Sequence, residues 1–524
     1  MTDQRNPQPT APDNLARNSA LNALGTALVY LAYLVATFVS NKILVGVLGA
    51  VVFGLFQVCL RLLSYVTPGE GPVSQALKWI IANRHAKADD QDLKRTVGSA
   101  LVLWGWLSAG ILLLGALVSW QAPFFMRDIP AGMEQVVRLT CLVLVLRTIA
   151  SNGGRVFVAP VQGVNLAYKV TFTDALLEVV RGGLLIGAAS LGLGLLGLAQ
   201  ALLLTALVSV GLYWRLARRW VPWFGIARPG RRDLDRFSDF GGWLLASNVL
   251  YRVLLMSDIV LLGWVAGGAR VSVLTFSQYV CNFGVTVVVL AAVAVAPGLG
   301  RLLGSGELER ARAIREELLA LCWLSTVVVA VGVLVWNGAF VAMWVGREFY
   351  TGPEVNALIV LLFAQTAFIR LDGLVIDVSL DIRRKVAWTA VATLLGVVLA
   401  VVLGRTLHLG MAGVLLGMGI GRGVLSLAYP LIAARTLGAQ RAGLGLAFAR
   451  ATTVALLLMG GAALLGARMP DVPVPTLLGG GLLTGLVAAV VAWFAGLDGV
   501  MRARLVRRVQ SLGLVGALRA RLGR

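Results

Sequence analysis

The chain has 524 residues, 58% of them hydrophobic and 14% charged, with a mean hydropathy of +0.84, which lies outside the range of soluble globular domains and belongs in a bilayer. A formal net charge of +21 would suit a nucleic-acid binder, but the basic residues sort by membrane side, which is a signature of topology instead. Cys59, Cys141, Cys281 and Cys322 all fall in or beside apolar stretches, and the two histidines are His85 and His408, so neither a disulfide framework nor a zinc site is indicated.

Residues 1–20, MTDQRNPQPTAPDNLARNSA, form a polar segment without the basic-then-apolar pattern of a cleavable signal peptide and are expected to remain as a cytoplasmic tail. Crossing a membrane as helix takes about 20 apolar residues. Fourteen stretches qualify: 21–41, 48–68, 97–119, 136–158, 171–190, 195–214, 240–264, 273–297, 318–336, 355–377, 387–404, 411–431, 446–466 and 477–496. The expected fold is an all-α polytopic membrane protein with an N-lobe of six helices over 21–214, a basic linker at 215–239, a C-lobe of six helices over 240–431, two further helices over 432–496 and a basic tail at 497–524. The longest connections, at 69–96, 215–239 and 298–317, are too short for a soluble domain, and SGELERARAIREELL, which starts in the last of them, reads as an amphipathic surface helix.

With the N-terminus in the cytoplasm, and with Arg138, Arg155 and Arg450 in the end turns of their spans counted with the loops they adjoin, 33 Lys and Arg face inward, 7 face outward and 6 lie deep within spans. That asymmetry predicts an inner-membrane protein with both termini cytoplasmic. The clusters RLARRWVPWFGIARPGRRDLDR at 215–236 and MRARLVRRVQSLGLVGALRARLGR at 501–524 then meet anionic lipid at the inner leaflet.

The two halves echo each other. YKVTFT at 168–173 returns as RKVAWT at 384–389 and LGLLG at 193–197 as LGMAG at 409–413, both offset by 216, while SNKILVG at 40–46 returns as SDIVLLG at 257–263, offset by 217. Three matches in register point to a duplicated six-helix unit. Because the unit has an even number of spans the copies are parallel, an arrangement that in transporters places the substrate cavity between the halves.

Six arginines lie deeper than the end turns of their spans: Arg61, Arg147, Arg181, Arg252, Arg370 and Arg422. An arginine at the bilayer centre costs about 2.5–3.5 kcal/mol on insertion scales, so it normally faces a polar interior or a partner. The positions 216 residues from Arg147 and Arg181 are Phe363 and Val397, so the charges do not follow the repeat. Polar stripes at helical spacing accompany them: Gln57, Arg61 and Ser64; Arg147, Ser151 and Arg155; Asn248 and Arg252; Thr275, Gln278, Asn282 and Thr286; Tyr30, Tyr33, Thr37 and Asn41. Arg181 follows Glu178 by three residues and Asp174 by seven, so an ion pair competes with ligand binding there; Arg370 lies near Asp372 and Asp377, where it can pair or snorkel. Arg61, Arg147, Arg252 and Arg422 have no carboxylate three or four residues away, and a guanidinium fork suits phosphate oxygens. The carboxylates Asp174, Glu178, Asp258, Asp372 and Asp377 either neutralise these arginines or hold a coupling proton or sodium ion. No Walker A, GxSxG or HExxH sequence occurs, and no cofactor is implied.

The stretch NSALNALGTALVYLAYLVATFVSNKILVGVLGAVVFGLFQ, a polar start and long first span with LG followed by FG, resembles polysaccharide flippases of the O-antigen and teichoic-acid export (Wzx) type, in the multidrug/oligosaccharidyl-lipid/polysaccharide superfamily. SDIVLLGWVAGGARVSVLTFSQY, PGLGRLLGSGELERARA and MWVGREF are similar to that family's seventh span, the loop after span eight and the loop after span nine. The resemblance implies two six-helix lobes plus two helices and a cationic cavity for the diphosphate-sugar head of a polyprenyl-linked oligosaccharide. Drug-exporting relatives carry an acidic residue in the first span, whereas this chain has none between Asp13 and Glu70.

The expected function is therefore a flippase carrying an undecaprenyl-diphosphate-linked saccharide of exopolysaccharide or O-antigen type to the outer leaflet, with polysaccharide polymerase and assembly proteins as partners and no nucleic acid. Its rivals are a cation-coupled drug or metabolite exporter, a membrane glycosyltransferase, polymerase or ligase, and a non-transporting assembly scaffold.

Overall fold

Backbone groups in hydrocarbon must be satisfied within the protein, which leaves helices or closed barrels. The computed structural model describes residues 12–66, 72–84, 89–230, 254–255, 257–378, 382–438, 445–469 and 472–511, and its regular structure over them is entirely helical. In chain order the helices are α1 (Pro12–Val66), α2 (Pro72–Arg84), α3 (Asp90–Gln121), α4 (Glu134–Gly163), α5 (Tyr168–Ser190), α6 (Gly194–Trp220), α7 (Ser257–Ser277), α8 (Tyr279–Gly304), α9 (Leu308–Trp344), α10 (Pro353–Val378), α11 (Ile382–Val401), α12 (Gly410–Thr436), α13 (Gly445–Gly466), α14 (Val474–Val491) and α15 (Gly499–Ser511). Leu113 of α3 and Leu482 of α14 are 74% and 78% exposed amid further bare apolar side chains, a surface that suits lipid and not water. This is a multi-pass membrane protein.

Among the described residues eleven helices are long and apolar enough to cross a membrane, fewer than the fourteen expected. The difference has visible causes. α1 is a continuous stretch of 55 residues interrupted at Gly49, whose φ of 78° and ψ of 164° break the helix; this glycine is the LG of the N-terminal motif. The expected span 273–297 falls across the end of α7 and the start of α8, where the apolar helix found is the shorter Tyr279–Val289; Gly267 inside α7 also has φ 82°. α5 carries Lys169, Asp174, Glu178 and Arg181 within 23 residues.

Two compact units divide the chain, Met1–Val249 and Leu250–Arg524. In the first, α1 lies along α5, and the approach is close because Gly25 faces Thr171 and Gly182 faces Ala36. α4 is packed by α2, α3 and α6. Its lower half joins a core of Leu77, Ile81, Val97, Val156 and Trp223, where Phe157, Trp214 and Phe224 meet edge to face at 5.0–6.4 Å. Much of the expected 215–239 linker is not a free loop: α6 runs to Trp220, and the chain then folds back so that the Ala227 N–H donates to the Lys94 carbonyl at 3.2 Å. Residues 231–239 lie outside the described residues.

In the second unit α11 and α12 cross through small residues, as helices in lipid do. A Cβ on Gly417 would lie 2.2 Å from the Ala400 nitrogen, and one on Gly421 would lie 2.6 Å from the Gly396 Cα. α9 is the unit's longest helix. SGELERARAIREELL is not a separate surface helix but its first turns, where Arg312 donates to the carbonyls of Leu437 and Gly438 and so caps the end of α12. α13 and α14 pack on α9, the latter through the Trp336 indole N–H, which donates to Thr484 at 3.0 Å.

One backbone feature recurs at the offset of 216. Gly192 and Gly194 sit at φ 71° and 59°, and the residues 216 positions later, His408 and Gly410, sit at 56° and 54°. The same left-handed turn joins α5 to α6 and α11 to α12.

Candidate functional site

Two helices of the first unit bring charged groups together, a third adds a phenol and a fourth supplies an aromatic face. On α5, Asp174 and Glu178 are one helical turn apart and Arg181 follows by three. Arg181 pairs with Glu178 at 2.5 Å and its guanidinium lies 5.2 Å from the Tyr33 ring on α1. Asp174 is instead bound by Tyr213 of α6, whose hydroxyl donates to Oδ1 at 2.6 Å. Tyr213 reaches it because α4 has glycine at 154, where a Cβ would stand 3.2 Å from the phenol ring. Arg155 of α4 is within electrostatic reach of Tyr213.

Arg147 of α4 completes the group. It lies within electrostatic reach of Glu178 and of Arg181, and among the described residues it makes no hydrogen bond or ion pair. Its own helix offers no nearby carboxylate, but α5 does, which spacing along one helix could not reveal. Glu178 is already committed to Arg181. Among the described residues of this cluster, three arginines stand with two carboxylates, an excess of one positive charge.

Elsewhere in this unit Gln57 and Arg61 are half-buried one turn apart on α1, beyond Gly49, and among the described residues neither side chain makes a hydrogen bond or ion pair.

The second unit treats its charges differently. Arg422 is 4% exposed and donates to the Leu255 carbonyl at 3.2 Å and to Thr366 at 3.3 Å, tying α12 to the residues before α7 and to α10. Asp372 does not serve Arg370; it accepts both Nε and a terminal nitrogen of Arg315 on α9, at 2.9 and 2.8 Å. Asp377 pairs with Lys385 at 2.7 Å, and buried Asp258 accepts the Ile259 N–H at 3.0 Å. Phe363, at the repeat position of Arg147, is buried against Gly284. Gln278 is buried at the junction of α7 and α8, while Asn282 is exposed one turn on. Asn248 and Arg252 lie outside the described residues.

A buried amide network went unanticipated. Asn337 donates to the Ser277 carbonyl and to Asn356 Oδ1, both at 2.8 Å, and Ser277 Oγ donates to the Phe349 carbonyl and accepts the Thr351 N–H. It anchors the loop between α9 and α10, where burial pushes the Tyr350 phenol up to about 12. Tyr213 was missed too; its only sequence signal is Ser209, four residues before it on α6.

No group of three or more metal-ligating side chains occurs among the described residues. No protein-family model matches the chain, and no curated protein matches it in sequence. Its architecture does match solved structures. The lipid II flippase MurJ in an inward closed conformation aligns with a TM-score of 0.65 at 11% identity, over 89% of this chain and 97% of that one. The fold is shared with MOP-superfamily transporters. An inward-facing multidrug resistance MATE family transporter aligns with a TM-score of 0.58 at 18% identity, over 78% of this chain and 94% of that one. A MOP superfamily transporter from Pyrococcus furiosus, described as having a binding pocket of reversed polarity that suggests a different function, aligns at 0.56 and 18%, over 81% and 95%. The likeness establishes the architecture; identities this low do not carry the cargo with it.

Proposed function

We propose that the chain is an inner-membrane flippase that moves a polyprenyl-diphosphate-linked oligosaccharide to the outer leaflet by alternating access, without covalent chemistry. The observation that carries this reading is the excess positive charge at Arg147, held next to the Glu178–Arg181 ion pair. A diphosphate brings the missing negative charge, and a guanidinium binds phosphate oxygens in pairs. The sequence resemblance to polysaccharide flippases and the fold likeness to a lipid II flippase support the same cargo class. Arg61 and Gln57, which have no protein partner among the described residues, are assigned to the same head group, with Asn248, Arg252, Gln278 and Asn282 as further polar contacts. Arg422 is removed from that set because protein acceptors occupy it, and Asp377 is assigned to Lys385 instead of a coupling ion.

A second reading, export of drug-like cations, is favoured by the fold likeness to multidrug MATE transporters at somewhat higher identity. Cations call for surplus carboxylate, and the absence of any acidic residue between Asp13 and Glu70 weighs against it. Deletion cells decide between the two. Complete lipid-linked repeat units should accumulate on the cytoplasmic face; drug sensitivity with a normal lipid-linked pool would select the exporter, and truncated saccharides would place the protein earlier, as an enzyme.

A further inference from the structure

The end of the second unit carries a basic groove that owes nothing to the polar cluster. α15 is capped by Asp498, whose Oδ1 accepts the Met501 N–H at 2.6 Å, and it is seated by Leu505, 3% exposed, against Leu497 and Ala320 with Trp323, Trp493 and Met501 around them. Its four arginines divide into two kinds. Arg504 and Arg508 reach α9 and pair with Glu316 at 2.8 Å and Glu317 at 3.1 Å. Arg502 and Arg507 point their Nε atoms at the carbonyls of Asp498 and Ala503, at 3.4 and 3.3 Å, and make no carboxylate contact among the described residues.

Those two line an open groove of about 640 Å³ with Trp493, Gly499, Ala503 and Val506. Its lining contains no carboxylate, and the Arg502 guanidinium sits 5.4 Å from the Phe494 ring. Apolar surface stands beside the charge: Phe494, Val500 and Val506 are 59%, 60% and 44% exposed. The span formed by α14 and its final turn ends at Gly496, so the groove opens where the chain leaves hydrocarbon and enters the head-group layer. Tryptophan and arginine together are the usual occupants of that layer.

We propose that this groove binds an anionic phospholipid of the surrounding bilayer, with Arg502 and Arg507 on the phosphate and the exposed apolar side chains against the upper acyl chain. Charge complementarity selects an anion, and the apolar flank selects a lipid over a soluble phosphate. Ion pairs to α9 fix the helix, so the groove is pre-formed. The assignment is independent of the transported cargo.

The test is native mass spectrometry of the purified full-length protein, delipidated and titrated with phosphatidylglycerol or with phosphatidylcholine of the same chains. Phosphatidylglycerol should bind in preference, and Arg502→Gln with Arg507→Gln should reduce that preference at least about fivefold, the contribution of one basic residue near an anionic surface. The pair Arg270→Gln and Arg468→Gln, which removes the same charge from exposed sites elsewhere, should leave it unchanged. Melting curves of both double variants establish that each is folded. Equal binding of the two lipids, undiminished preference in the folded groove variant, or full displacement of phosphatidylglycerol by millimolar inorganic phosphate would each overturn the proposal.

Discussion

Arg147 and Arg422 are both arginines within apolar helices, yet the structure gives them opposite duties. Arg422 supplies N–H groups to a backbone carbonyl and a threonine in a 4%-exposed position. Arg422→Ala should therefore destabilise the protein by about 2 kcal/mol, since hydrogen bonds to charged groups are worth that much and their acceptors would be stranded, and the readout is lost abundance and a lower melting temperature. Arg147→Ala strands no acceptor, so it should leave abundance near normal while cutting transport at least about tenfold. Lysine should rescue only partly, for want of the planar fork. Normal transport by a well-expressed Arg147→Ala protein would remove this residue from the site. What was legible at this scale was local. The Glu178–Arg181 pair could be read from a spacing of three, whereas Asp372 finds Arg315 across 57 residues and Asp174 finds a tyrosine on another helix. Pairings of that kind depend on which helices are neighbours, and spacing along one chain segment carries no such information.

At the level of helices, hydropathy located the spans and glycine shaped their contacts. Gly413, Gly417 and Gly421 recur at every fourth position, which places them on one face of α12, and the backbone of α11 and of the turn that follows it presses directly against that face. Gly417→Ala should push α11 and α12 apart and lower the melting temperature and yield. Gly460→Ala on α13, where an added Cβ meets nothing within 4 Å, should be neutral or stabilising by at most about 1 kcal/mol through helix propensity. Equal melting temperatures for the two variants would contradict the close crossing. The four-residue spacing was present to be read, but in a chain with 61 glycines it stands out only once the partner helix is known. The breaks at Gly49 and Gly267 show the converse limit. Uninterrupted hydropathy hides a turn that a single left-handed residue makes.

For the molecule as a whole, the uneven distribution of Lys and Arg and the internal repeat were the strongest signals in the sequence, because both are sums over many residues and tolerate local error. The all-helical membrane architecture followed from hydropathy, and the two units Met1–Val249 and Leu250–Arg524 divide the chain near its repeat boundary. The basic asymmetry makes a definite expectation. Single cysteines placed in 121–135 and 337–354, in a background lacking the four native thiols, should react with an impermeant maleimide in intact cells, and cysteines at 215–230 should not. The reverse pattern would invert the topology.

The turn shared by the two halves has a consequence for how such a molecule changes over time. Gly192 and His408 hold the same left-handed backbone, although every side chain except glycine is strained there, by about 1–2 kcal/mol in general and somewhat less for a polar residue of histidine's kind. The bend is the same whether glycine or histidine occupies it, so its shape is imposed by the helices on either side and not by the amino acid that occupies it. His408→Gly should accordingly raise the melting temperature without altering transport, and an unchanged or lower value would mean that the imidazole has acquired a contact of its own. A doubled protein of this kind inherits its corners as a mould and lets their contents drift, which leaves each half free to acquire a separate chemistry on an identical frame.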